Sequence, residues 1–589
     1  MATTTITQIV ELDVLPSVQQ STSSAQRIDA AIDARRTPAE GLAYGSRDVR
    51  PDSAIATDES RYPSGVKFWL LMLNLAAVIM LYAIDMAIVA TAVPAITDHF
   101  HTVADIGWYS VAFRLSQCGF QFVYGKAYKL FPIKNVFLIA NAFSFIGSLL
   151  CGAATSSSML VAGRAIAGIG TAGLGAGSNA MLIQSVPLRR RPTFLGLWAA
   201  VEGTSAVLAP LLGGALTQSA GWRWCFYISL PLGGATLLLT YVLFSEAPKA
   251  DDVARLTTKA KLKQLDPMSN VILVSSLISL FFALNWAGAK YAWNSGTIIG
   301  LLVTSVVLAA FFGYRQFQQG EKAVLAPRIL KSRVVLTSLL FVVLFNSAEN
   351  VLEWYLPTYY QVVHGYTPAQ SGLLMLPILI AATIGAIGSG TLMSVVGYYA
   401  PFMVFASVTM PIAAGLITTL QIDTSLAKLI FYTALIGLGY GVGSVGPTVA
   451  VQTVLPDADA TLGIAVLMFG SSLGPAITIA MAQVIFTSEL SKNLGGLGLS
   501  VNGTSIESSG LTQLLTQAPA SQQHDVLEGI DRSITHTWYL VVALACLMAF
   551  GGFGAEWRSL KKDDPAESTT ARREGLSTAD IGGSQSHDT

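Results

Sequence analysis

The chain has 589 residues, of which 52% are hydrophobic and 12% charged, and its mean hydropathy is +0.56. Soluble domains carry about 25% charged residues, so a soluble globular fold is excluded over most of the length. A formal net charge of zero gives no basis for nucleic-acid binding, and what remains is an all-α polytopic membrane protein.

In chain order, residues 1–65 are polar, rich in Ser, Thr, Ala and Asp, and lack a basic start leading into an apolar run. They read as a disordered cytoplasmic tail with no cleavable signal peptide. A spanning helix needs ~20 apolar residues. Fourteen such segments follow, near 67–93, 106–125, 134–153, 157–182, 194–217, 225–244, 268–287, 296–314, 334–356, 370–396, 401–420, 427–450, 460–486 and 537–555. The stretch 557–589 is polar again and reads as a second disordered tail. The four cysteines, Cys118, Cys151, Cys225 and Cys546, lie inside apolar segments without metal spacing. They read as small buried hydrophobes; a Cys151–Cys225 disulfide is conceivable only because both fall near outer helix ends.

Basic residues set the orientation. Lys126, Lys129 and Lys134 sit between spans two and three, and Arg189, Arg190 and Arg191 between four and five. Lys249 to Lys263 sit between six and seven, and Arg315 to Arg333 between eight and nine. Alternate loops hold far fewer. The positive-inside rule then puts both termini in the cytoplasm and the loop 487–536 outside. The one N-x-Ser/Thr sequon, Asn502-Gly503-Thr504, falls in that outer loop and is a candidate glycosylation site.

The chain also repeats itself. Gly125 to Pro132 closes span two as Gly390 to Gly397 closes span ten. The glycine row Gly168, Gly170, Gly173, Gly175, Gly177 of span four returns as Gly437, Gly439, Gly441, Gly443 in span twelve. Pro210-Leu-Leu-Gly213-Gly214 in span five has its counterpart in Gly470-Ser-Ser-Leu-Gly474-Pro475 in span thirteen. Proline removes a helix hydrogen bond and glycine permits close approach, so Pro210, Gly213, Gly214, Gly474 and Pro475 are expected to bend and pack their helices. Spans one to six (66–245) and nine to fourteen (334–556) therefore read as parallel six-helix bundles, with two inserted helices and cytoplasmic loops at 246–333. The span-five segment is expected at the interface between the two halves.

Four motifs together resemble the fourteen-span drug:proton antiporters of the major facilitator superfamily, most closely fungal toxin and secondary-metabolite efflux pumps. They are Ile84-Asp85 to Pro94, Gly163-Arg164 to Gly170, Ser205 to Gly214, and Trp222-Arg223-Trp224 to Pro231. The resemblance implies a transporter that exports small amphipathic toxins, drugs or metabolites against protons, without cofactor or metal, as a multi-pass plasma-membrane monomer. It departs at the loop after span two, where Lys129 stands in the usual acidic position, and at Ser205 and Ala209, which replace glycines.

Charges inside spans are costly, ~3 kcal/mol each at helix centre, and so mark function. Asp85, Arg114 and Arg164 all fall in the outer half of the bilayer. Asp85 is expected to be a proton-linked carboxylate with Arg164 or Arg114 as partner, and the resemblance favours Arg164 for proton coupling; a permanent ion pair that orders the first bundle is the alternative. Glu349 and Glu353 lie four apart on one face of span nine. With Asn350, Tyr355, Glu202 and Trp198 they are candidates for a substrate cavity, where carboxylates meet cations and aromatic rings stack on flat molecules. Two alternatives stand: Glu353 solvated at the outer interface, and Glu202 packing against a polar group such as Gln184. No nucleophile triad, zinc spacing or phosphate loop points to an enzyme or an ATP-driven pump. The rival functions are a proton-coupled importer or vacuolar transporter of siderophores, basic amino acids or other nutrients, and a non-transporting membrane sensor.

Overall fold

A computed structural model describes residues 63, 65–100, 106–246, 256–288, 291–495, 519 and 522–560. Among them the regular structure is helical, and β pairing is limited to two isolated bridges. In chain order the helices are α1 (Gly65–Ala87), α2 (Val89–Phe100), α3 (Ile106–Leu130), α4 (Ile133–Gly152), α5 (Ser157–Ser185), α6 (Arg191–Ser219), α7 (Trp224–Tyr227) and α8 (Ser229–Leu243). Then come α9 (Thr258–Gln264), α10 (Pro267–Trp286), α11 (Gly296–Gln319), α12 (Pro327–Lys331), α13 (Arg333–Val362) and α14 (Pro368–Leu374). The last are α15 (Leu376–Val396), α16 (Ala400–Ile417), α17 (Leu426–Ser444), α18 (Gly446–Val454), α19 (Asp457–Gly495) and α20 (Gln523–Phe553).

Local chemistry sets several boundaries. Ser156, Asp266 and Ser295 each accept a backbone N–H of the first turn that follows, at Met159, Ser269 and Ile298. Thr367 and Gln370 form a reciprocal capping box on α14. Gly397 ends α15 at φ +84°, a backbone state that glycine adopts without steric cost. Among the described residues, twelve helical segments are long and apolar enough to cross a membrane. α3 and α6, of 25 and 29 residues, have the length as well. α3 is the more polar for carrying Arg114, Gln117, Gln121, Lys126 and Lys129. Among the described residues the spans are therefore fourteen.

The two six-helix sets pack alike. α6 lies on α1 as α19 lies on α13, α3 on α5 as α15 on α17, and α8 on α1 and α4 as α20 on α13 and α16. The glycine rows explain the second pair. A side chain at Gly168 would overlap the Phe113 backbone of α3, and one at Gly437 or Gly441 would overlap the Ile378 or Ala382 backbone of α15. Backbone-to-backbone approach of this kind maximises van der Waals contact where water gives no drive to helix association. The inserted helices α10 and α11 pair through Ser276 Oγ donating to Ser305 O at 2.8 Å. α10 meets α3 where Val274 faces Gly119, and Phe122 of α3 contacts both Phe312 of α11 and Phe469 of α19. The inserted pair thus covers the seam between α3 and α19.

Some boundaries differ from the sequence reading. α13 runs through Pro357 to Val362. α19 continues to Gly495 and α20 begins at Gln523, so both ends of the expected loop 487–536 are helical. Asn493 Nδ2 donates to Ser533 Oγ at 2.9 Å, and Leu490, Leu494, Val526, Ile530 and Ile534 are buried, so the two helices support each other as a hairpin. Asn502 and most of both polar tails lie outside the described residues; residues 557–560, expected to be disordered, pack at the end of α15, where Leu560 is buried and its N–H donates to Gly397 O at 2.8 Å. All four cysteines are free thiols. Cys151 and Cys225 are buried and unbridged, and Cys546, expected to be buried, is exposed.

Candidate functional site

Asp85 sits near the end of α1 with 4% exposure. Its Oδ1 accepts a short hydrogen bond from Ser229 at the start of α8. Its Oδ2 has no hydrogen-bond partner among the described residues. Arg164 of α5 is buried beside it, yet the guanidinium is not on the carboxylate. Arg164 Nη1 donates to the backbone O of Asp85 at 3.0 Å and Nε to the backbone O of Tyr109 at 2.9 Å. The guanidinium also covers the Phe113 ring at 4.2 Å. The expected Asp85–Arg164 ion pair is therefore replaced by an arginine that ties the backbones of α1 and α3 to α5 and leaves one carboxylate oxygen open.

Arg114 is the other expected partner, but its charge stands within Coulombic reach of Glu349 and Glu353 of α13, as well as of Arg164. Glu202 of α6 lies within reach of Glu349. Glu202 and Glu353 are exposed and Glu349 partly so. They form one acidic group contributed by α6 of the first half and α13 of the second. Glu353 neighbours Arg114 of the first half, and Gln184 Oε1 accepts no hydrogen bond among the described residues. Asn350 Nδ2 holds Glu349 Oε2 at 3.1 Å.

Three residues that the sequence reading missed complete this group. Gln117 Nε2 of α3 donates to the Tyr82 hydroxyl of α1 at 3.3 Å. Tyr82 neighbours Glu202, and Tyr440 of α17 neighbours Glu202, Glu349 and Glu353. Tyr440 also stacks on Phe345 at 4.8 Å and 6°. Two expected members belong elsewhere. Tyr355 is buried in the second bundle, donating to Gln483 Oε1 of α19 at 3.0 Å and packing on Phe486. Trp198 is 4% exposed and part of the apolar core. Tyrosine and tryptophan at helical spacing give no sign in sequence of whether they face a cleft or a core.

The halves meet at the end that carries most of the basic residues. Lys129 Nζ bonds Asp459 Oδ1 at 2.5 Å, and Arg191 Nη1 bonds Asp457 Oδ1 at 3.3 Å. Thr193 and Ser394 share a hydroxyl contact at 2.9 Å. Gly196 and Gly390 bring α6 and α15 so close that a Cβ on Gly390 would lie 3.1 Å from Gly196 Cα. Glu202 and Glu353 lie farther along α6 and α13, away from this closure.

The family model for the Major Facilitator Superfamily matches residues 75–479. This chain belongs to that superfamily. It is therefore a transporter embedded in the membrane through many spans, and not an enzyme. It is similar to "MFS-type efflux pump MFS1" of Arthroderma benhamiae, 39% identical over 85% of this chain and 94% of the relative. It is 37% identical to "Efflux pump aflT" of Aspergillus parasiticus over 86% and 99%. It is 36% identical to "Rubrofusarin-specific efflux pump aurT" of Gibberella zeae over 86% and 92%. The proton:xylose symporter XylE has the same fold at 13% identity and a TM-score of 0.55, covering 84% of this chain and 97% of XylE.

The transporter's span-five segment packs differently from expectation. Gly213 fits against Ile88 and Thr91 of the first bundle, and Gly214 has open space beside it. The contact between halves on α6 is made by Gly196 and Gly203 instead. α6 is one continuous helix through Pro210. Gly474 matches Gly213 by symmetry, packing on Val343 and Ser347 of α13, and α19 likewise continues through Pro475.

Proposed function

We propose that this transporter exports small amphipathic molecules in exchange for protons, by alternating access of a central cleft. The basic end then faces the cytoplasm of the plasma membrane, and the state described here is closed on that side. One observation carries the coupling: Asp85 is a buried carboxyl whose Oδ2 is left open while its neighbouring cation binds backbone carbonyls. A carboxyl so placed can take or release a proton without breaking an ion pair. The substrate assignment is supported by Glu202, Glu349 and Glu353 near the Tyr440–Phe345 stack, a setting for flat molecules with cationic or donor groups. The names of the relatives support the outward direction.

The test is transport by purified full-length protein in liposomes with an imposed pH gradient, using a lipophilic cationic dye and a neutral planar polyketide as probes. Dye movement opposite to the proton gradient, with matching alkalinisation on the dye's destination side, is expected. Movement in the same direction as protons would make the protein a symporter and overturn the proposal.

A further inference from the structure

The inserted helices reach the gate through the segment that follows them. Arg328 lies on α12, directly after α11. Its Nη2 bonds Asp459 Oδ2 at 2.5 Å, and its Nε bonds Glu321 Oε2 at 2.7 Å. Asp459, with a 5% exposed side chain, is therefore clasped by two cations, Lys129 on one oxygen and Arg328 on the other. One turn before Lys129, the buried Lys126 donates to Ala323 O at 2.8 Å in the same segment.

The two cations belong to different bodies. Lys129 is on α3 of the first bundle, and Asp459 opens α19 of the second. α12 is joined to α13 by Ser332 alone, and α13 packs along α19. When the halves part at the basic end, Lys129 leaves Asp459 and Lys126 leaves Ala323 O, while Arg328, held next to α13, stays. A buried carboxylate that loses its only cation is strongly disfavoured, so the two partners act in opposite directions on one group.

We propose that Arg328 is a positioning residue for transport: it neutralises Asp459 while the gate is open, so that Lys129 can let go. The inserted helix pair delivers that cation. The inference rests on alternating access. Lys129 favours the closed basic end, and Arg328 lowers the cost of opening it.

The experiment uses full-length protein in nanodiscs, with exposed Cys546 replaced by serine and spin labels on two pairs of exposed positions. Arg190→Cys with Val396→Cys reports the basic end, and Ser219→Cys with Thr419→Cys the opposite end. Lys129→Met is expected to raise the ratio of open to closed basic ends by roughly 5-fold or more, and Arg328→Gln to lower it by a similar factor. Arg328→Lys restores the ratio. With Asp459→Asn present, neither substitution moves it further, because both act through that carboxylate. Shifts of the same sign in the two single variants, or an effect of Arg328→Gln that persists with Asp459→Asn, would overturn the role of Arg328 and leave alternating access standing. Distances at the two ends that never change in opposite directions in any variant would overturn alternating access and the inference with it.

Discussion

Arg164 reaches the backbone carbonyl of Asp85 at 3.0 Å and leaves its carboxylate alone. The residues adjoin without forming an ion pair, so their roles separate: Arg164 fixes the backbones of α1 and α3, and Asp85 keeps an oxygen free. The pair can be tested by substitutions with different signatures.

Asp85→Asn preserves size and the hydrogen bond from Ser229 but removes the proton. Counterflow of dye across liposomes without a gradient should persist, while gradient-driven accumulation is lost. Undiminished driven transport would remove Asp85 from coupling. Arg164→Met, by contrast, removes the charge-assisted hydrogen bonds to the Tyr109 and Asp85 carbonyls, at roughly 1.5–3 kcal/mol each. It should lower the thermal unfolding midpoint as well as transport.

Glycines within a bundle and between bundles should fail differently. A side chain at Gly170 meets the backbone of Ser144 inside the first bundle, so Gly170→Val should reduce folded protein, read as loss of the monodisperse peak in size-exclusion chromatography. Gly196→Val meets the Ala386 carbonyl of the other half. Folded yield should stay near normal, while closure at the basic end and transport are lost.

The carboxylates of the proposed cleft should discriminate by charge. Replacing Glu349 by Gln removes one of three acidic groups but keeps a polar partner for Asn350. Transport of a lipophilic cation should fall about 10-fold or more, with a much smaller change for a neutral planar substrate; one full-strength charge contact in a partly desolvated site is worth ~1.4 kcal/mol or more. Equal losses for both probes would refute a charge-reading role.

The proposed orientation puts Asn502 on the outer side. Protein made in a eukaryotic secretory membrane should shift in mobility on endoglycosidase treatment, and Asn502→Gln should abolish that shift. Glycans acquired instead at a sequon engineered into the loop between α5 and α6 would reverse the orientation.

Much of this was legible in the chain because lipid is a simple solvent. Every backbone group in hydrocarbon must bond within its own helix, so apolar runs alone mark the spans. The glycine rows at 168–177 and 437–443 marked the helix pairs that pack backbone to backbone. Charged residues inside spans were visible one by one, but their partners were not. Depth alone puts Arg114 level with Asp85; rotation about the helix axis turns it toward Glu349 and Glu353, and depth carries no information about rotation. Lys129 broke the expected acidic pattern, and no local signal ties it to Asp459, 330 positions later.

By itself, then, the sequence determined the solvent, the spans and the repeat, because composition and period act along one helix at a time. Only the tertiary structure decided which charges meet. It set Arg164 on carbonyls, gathered Glu202, Glu349 and Glu353 into one group, and put Lys129 and Arg328 on the two oxygens of Asp459. Electrostatic partnership falls off with distance in space, and packing alone sets that distance between helices far apart in the chain.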